Sequence, residues 1–143
     1  MTATAQEPMK VSRSIDASPE VVFNAWLAPD MIRRWMFRSP TNEICAISTD
    51  RVVGGAFKIV ARAGDELTDH FGRYVEFQEP NKLVFSLQVP KHFPGETLVT
   101  VGIEPAVYGC DVTLTQTGVA AEVTEHDWRK MLESLALMCA EPS

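Results

Sequence analysis

Apolar positions along this chain follow two periods, close to two residues through the middle and three to four near the ends. Residues 10–15, Lys-Val-Ser-Arg-Ser-Ile, alternate weakly and predict a first strand. Ser18-Pro19-Glu20 then has the chemistry of a helix start. Serine accepts from free amides, proline suits the first helical position, and glutamate complements the positive end of the dipole. Val22, Phe23, Trp26 and Leu27 share one helical face. Pro29 interrupts that helix and opens a second short one over residues 29–35, which ends in Trp35-Met36-Phe37.

Strands are predicted at residues 45–48, 56–61, 68–78, 83–89, 97–103 and 110–117, all rich in Val, Ile, Phe and Thr. Gly54-Gly55, Ala63-Gly64-Asp65, Glu79-Pro80-Asn81, Pro94-Gly95 and Tyr108-Gly109 punctuate them as turns. Such short connections suit antiparallel pairing, because parallel strands need a longer crossover. Alternation is clean in Phe57-Ile59-Ala61, Leu83-Phe85-Leu87-Val89, Val99-Val101-Ile103 and Val112-Leu114-Gln116, so one sheet face should be apolar and the other wet. Tyr74-Val75-Glu76-Phe77 breaks the alternation and predicts a bulge. Thr124-Glu125-His126-Asp127 reads as a capping box opening a last helix over residues 124–139. Its stripe of Trp128, Met131, Leu132, Leu135, Met138 and Cys139 has only the sheet to cover it.

Length and charge narrow the reading. A chain of 143 residues suits one domain, and with 45% apolar residues it can build a core without a metal or disulfide. Residues 1–8 are polar and predict a disordered tail, leaving residues 9–143 as the domain. Thirteen basic residues against nineteen acidic ones, net −6, argue against nucleic acid and against an anionic membrane surface. The absence of a basic and apolar leader pattern predicts a cytoplasmic location. Cys45, Cys110 and Cys139 are odd in number and widely spaced, which fits buried, reduced thiols.

Candidate chemistry is sparse. The histidines His70, His92 and His126 share no metal-ligand spacing with one another or with the cysteines, so neither a metal nor a cofactor is expected. His126 reads as a first-turn helix residue. Phosphate-loop, dinucleotide and nucleophile-elbow motifs are missing. Asp69-His70 with Tyr74 and Glu76 is the nearest approach to an acid–base group, the alternative being polar residues on a half-exposed strand. Trp35-Met36-Phe37 reads either as core or as the rim of a pocket.

Several features in a fixed order resemble one family. They are the proline-opened helix ending near Trp26, Pro29 leading to Arg34-Trp35, Cys45, and Asp50 followed by Gly54-Gly55-Ala56-Phe57. Gly72, the segment Pro80-Asn81-Lys82-Leu83-Val84-Phe85, and the helix carrying Trp128 and Leu132 complete the set. This order resembles the activator of heat shock protein 90 ATPase homologue-like family, in the START-like, polyketide-cyclase-like (SRPBCC) helix-grip superfamily. The resemblance runs from about Lys10 to Met138. Many relatives carry tryptophan where Leu87 stands, histidine where Gln116 stands, and Gly-Trp where Asp127-Trp128 stands.

The resemblance implies an α+β helix-grip fold: a curved seven-stranded antiparallel sheet around a long C-terminal helix, with two short helices after the first strand. It also implies an internal cavity, and hence a small non-catalytic binding protein for a hydrophobic or aromatic molecule. Trp35, Phe37, Phe57, Ile59, Tyr74, Phe85, Leu87, Val101, Leu114, Trp128 and Leu132 are the expected lining, with His70 and Gln116 as polar contacts. Two alternatives stay open. One is a cyclase-like or hydrolase-like enzyme using His70 with Tyr74 or Glu76. The other is a chaperone-linked or regulatory module, with a protein partner or a homodimer.

Overall fold

A computed structural model of the chain describes residues 8–140. The expected disordered tail therefore lies outside the described residues except for Pro8, which is exposed. Chain order is β1 (Met9–Ile15), α1 (Pro19–Ala25), α2 (Pro29–Trp35), β2 (Glu43–Thr49), β3 (Ala56–Ala63), β4 (Glu66–Gln78), β5 (Lys82–Leu87), β6 (Thr97–Ala106), β7 (Gly109–Thr117) and α3 (Ala121–Cys139). The strands form one antiparallel sheet in the order β1-β7-β6-β5-β4-β3-β2. Consecutive strands β1 and β2 thus stand at opposite edges, and α1 and α2 carry the chain between them. The Ser18 hydroxyl accepts the Val21 amide at 3.3 Å, and Pro19 and Pro29 open the two helices as their chemistry predicts.

Register aligns the inward-facing residues into rows. Val11, Leu114, Val101 and Leu83 are successive partners across β1, β7, β6 and β5, and all are buried. The next row runs Met9, Gln116, Val99, Phe85 and Tyr74, so one amide side chain sits in an otherwise apolar layer. The sheet bends at bulges between Ile44 and Ala46 and between Tyr74 and Glu76. At Gly72 strand β4 lies so close to β5 that an added Cβ would sit 1.9 Å from the Ser86 carbonyl oxygen. At Gly55 a Cβ would meet the Asp50 carbonyl oxygen at 2.1 Å, so the turn after β2 needs glycine.

Three expectations need correction. Strand β5 does not alternate between core and water: Val84 and Ser86 are buried along with Leu83, Phe85 and Leu87. Ser86 tolerates this because its hydroxyl accepts the Arg73 amide at 2.9 Å. Helix α3 starts three residues earlier than its capping signal, at Ala121, with Ala120 at the cap position and no side-chain cap. Thr124 is therefore a buried helical residue, and His126 is not in the first turn. Cys45 is exposed rather than buried; it sits in the bulge of edge strand β2, its thiol 3.5 Å from the Val60 carbonyl oxygen.

Helix α3 buries Trp128, Met131, Leu132 and Leu135 as the stripe predicts. Its closest approach to the sheet is at β1, one edge, while α2 meets both α3 and β2. Trp26 joins these layers, 4.6 Å edge-on from Trp35 and 6.1 Å from Trp128 between ring centroids. Trp35 donates its indole N–H to the Ala25 carbonyl at 2.9 Å. Among the described residues no helix is long and apolar enough to cross a membrane.

Candidate functional site

Away from β1 the helix leaves a gap over the sheet, and the gap is a cavity of about 490 Å³. Its floor is laid by alternation: Ala61 from β3, Thr68 and His70 from β4, Leu87 at the end of β5, and Gln116 from β7. Val89, His92 and Phe93 wall one side. Thr124, Asp127, Trp128, Lys130, Met131, Glu133 and Ser134 line it from α3. Phe37 and the loop through Arg38, Ser39, Pro40 and Asn42 complete the rim. Asn42 holds that loop in shape, accepting the Ser39 amide at 2.7 Å and donating to the Phe37 carbonyl at 3.1 Å.

Phe37 adopts φ +56°, a left-handed conformation that costs a non-glycine residue about 1–2 kcal/mol. Tertiary contacts hold it there. Its ring stacks on His70 at 3.9 Å and 15° and lies 5.8 Å from Trp128, and its amide points at the Met131 sulfur at 3.2 Å.

His70 is 5% exposed. Its Nδ1 lies 3.1 Å from the Ile59 carbonyl oxygen, which can only accept, so Nδ1 carries the hydrogen. Burial lowers the imidazole pKa from 6.5 to about 4, against the Ile59 hydrogen bond that raises it, and His92 lowers it further. The ring is therefore neutral at physiological pH, with Nε2 an acceptor.

Gln116 is fully buried and committed to a relay. Trp128 donates its indole N–H to Gln116 Oε1 at 3.0 Å, Gln116 Nε2 donates to the Thr97 hydroxyl at 2.9 Å, and that hydroxyl donates to the Leu87 carbonyl at 2.7 Å. The amide thus ties α3 to β6 and the end of β5.

Of the expected lining, Phe37, His70, Leu87, Gln116 and Trp128 converge on the cavity. Trp35, Phe57, Ile59, Tyr74, Phe85, Val101, Leu114 and Leu132 do not; they fill the closed core beside it. Phe57, for example, packs edge-on against Phe85 at 5.5 Å and beside Tyr74 at 5.3 Å. The acid–base group does not assemble either. Tyr74 is 4% exposed among aromatic rings, and burial raises its hydroxyl pKa to about 12. Glu76 lies past the bulge and pairs with Lys82 at 3.6 Å, whereas Asp69 faces outward and pairs with Lys58 at 3.8 Å.

Sequence reading missed Thr68, Thr124 and Met131 as wall residues, although periodicity contained them. Thr68 is two residues before His70 on the same strand face, and Thr124 and Met131 flank Trp128 on one helix face. Among the described residues no cluster of His, Cys, Asp and Glu is placed to hold a metal ion.

The family model described as Activator of Hsp90 ATPase homolog 1-like protein matches residues 16–139. A protein from Chromobacterium violaceum is similar in structure with a TM-score of 0.85 and 23% identity, over 94% of this chain and 99% of the other. An AHSA1-like protein from Aeromonas hydrophila has a TM-score of 0.77 and 23% identity, over 92% of this chain and 90% of that one. A Nitrosomonas europaea protein has a TM-score of 0.80 and 16% identity, over 95% and 96% of the two chains. No curated protein matches the sequence.

Proposed function

Because this chain belongs to the Activator of Hsp90 ATPase homolog 1-like family and has the START-like helix-grip fold, we propose that it is a small cytoplasmic protein that binds a hydrophobic or aromatic small molecule without transforming it. The cavity carries this reading. Its volume of about 490 Å³ lies in the range of ligand sites, and Phe37, Leu87, Val89, Phe93, Trp128 and Met131 give it apolar walls. Charged side chains stay exposed around it, on Arg38, Asp127, Lys130 and Glu133. Such a site draws an apolar body inward, where burial is worth about 25 cal/mol per Å².

The segregation of His70 from Tyr74, Glu76 and Asp69 supports the non-catalytic part of the proposal. A general base works best with a pKa near the operating pH and a partner to orient it. His70 has a pKa of about 4 and a backbone carbonyl as its only hydrogen-bond partner among the described residues.

Thermal shift with a panel of apolar and aromatic compounds tests the reading, since a ligand that binds only the folded state raises Tm. At least one compound should raise it in a saturable way. Leu87→Trp, which puts bulk into the cavity, should fold normally and lose the larger ligands first. A panel without any shift, or unchanged affinity for large ligands in Leu87→Trp, would refute cavity binding.

A further inference from the structure

We propose, resting on the binding reading above, that the cavity selects molecules carrying a neutral hydroxyl, of the phenol or alcohol class, which donates its hydrogen to His70 Nε2. The imidazole is fixed in place and in tautomer. Nδ1 is committed to the Ile59 carbonyl at 3.1 Å, and stacking on Phe37 at 3.9 Å holds the ring plane. Among the described residues nothing else hydrogen-bonds the ring, so Nε2 presents a bare lone pair in a residue that lines the cavity. A lone pair in such a setting recognises a donor and is left unsatisfied by an ether or a hydrocarbon.

A second unpaired group points the same way. The Thr124 hydroxyl is buried without a hydrogen-bond partner in a residue of the same cavity, one helical turn before Trp128. The same cavity has aromatic walls, Phe37 and Trp128, with ring centroids 5.8 Å apart. That arrangement fits a ring bearing a hydroxyl. It does not fit an acid. The cations lining the cavity, Arg38 and Lys130, are exposed, and the exposed Asp127 and Glu133 line it in equal number, so among the described residues no buried cation there compensates a carboxylate. A carboxylate would also face the lone pair of Nε2 with lone pairs of its own. Burial, which keeps His70 neutral down to a pH of about 4, preserves this acceptor role through the physiological range.

Three naphthalene probes decide the matter: naphthol, methoxynaphthalene and naphthoate, titrated by calorimetry and by intrinsic tryptophan fluorescence at neutral pH. Naphthol should bind roughly tenfold more tightly than the ether, the upper end for one neutral hydrogen bond, with naphthoate the weakest. His70→Phe keeps a ring against Phe37 and removes the acceptor; there naphthol should fall to the affinity of the ether, itself unchanged. Isotope-labelled histidine in the native chain gives a readout independent of the variant's folding. The His70 Nε2 resonance should move with naphthol and stay with the ether. Equal binding of all three probes would leave the binding reading standing and overturn this one. Preference for naphthoate, a naphthol preference that survives in His70→Phe, or an unmoved Nε2 resonance would overturn it as well. Failure of every probe to bind the folded protein would overturn both.

Discussion

His70 should make the fold acid-sensitive in a window set by its own burial. In the folded chain its pKa is lowered from 6.5 to about 4. A histidine with a depressed pKa prefers to be neutral when folded, so between those values the unfolded chain binds more protons and stability falls as pH falls. The contribution is complete above about pH 6.5 and lost by about pH 4. At about 1.36 kcal/mol per pH unit, the gap between 6.5 and about 4 is worth about 3 kcal/mol. For a chain of this size that is a difference of roughly 10 °C in Tm. Solvent does little to screen it, because the ring is 5% exposed.

The assay is urea denaturation across this pH range for the native chain and for His70→Phe. Other ionisable side chains lie nearby: Asp69 beside His70 on β4, His92 at a ring distance of 6.5 Å, and Asp127 and Glu133 on α3. They remain in the variant, so the difference between the two curves isolates His70. That difference should change by about 3 kcal/mol between about pH 7 and pH 4. Parallel curves would mean the imidazole is already protonated in the fold, or solvated, and the neutral-acceptor description of the cavity would fail with them.

Other consequences follow from packing. Leu132→Ala should cost about 2–5 kcal/mol, since the side chain is 1% exposed, whereas Glu133→Ala on the exposed face should change stability by about 0.5 kcal/mol or less; equal costs in denaturation would refute the phase of α3. Gln116→Leu should cost about 1–3 kcal/mol by stranding the buried indole N–H of Trp128, and a neutral outcome by the same measurement would show the relay to be idle. Gly72→Ala should destabilise by at least about 1–3 kcal/mol, because its Cβ would meet backbone at Ser86 and β4 and β5 would have to separate; an unchanged Tm would refute that contact.

Local chemistry alone was enough for most of the elements. Pro19 and Pro29 mark helix starts by stereochemistry that needs no partner, and both helices begin there. The period of two in Phe57-Ile59-Ala61 and Val99-Val101-Ile103 placed those residues on the buried face, and each is buried. Together with the family resemblance, such patterns carried the helix-grip architecture. Where a local signal competed with packing, packing won. Thr124 has the side chain of a helix cap, but it is buried against the cavity, so α3 runs past it and starts at Ala121 without any cap. Val84 reads as a wet position and is buried, because coverage of a strand's second face depends on chain far away in sequence.

The boundary between core and cavity was hidden for the same reason. Ile59 and His70 are register partners on β3 and β4, yet Ile59 is sealed in the core and His70 lines the cavity. Alternation assigns both to the inner face and says nothing of what lies above them. What decides is α3, close to β1 and away from the other edge, with Phe37 held at φ +56° across the gap by His70, Trp128 and Met131. A helix's distance from a sheet is a sum over side chains remote in the chain, so only the folded structure could divide the inward-facing residues into those that fill the core and those that leave room for a guest.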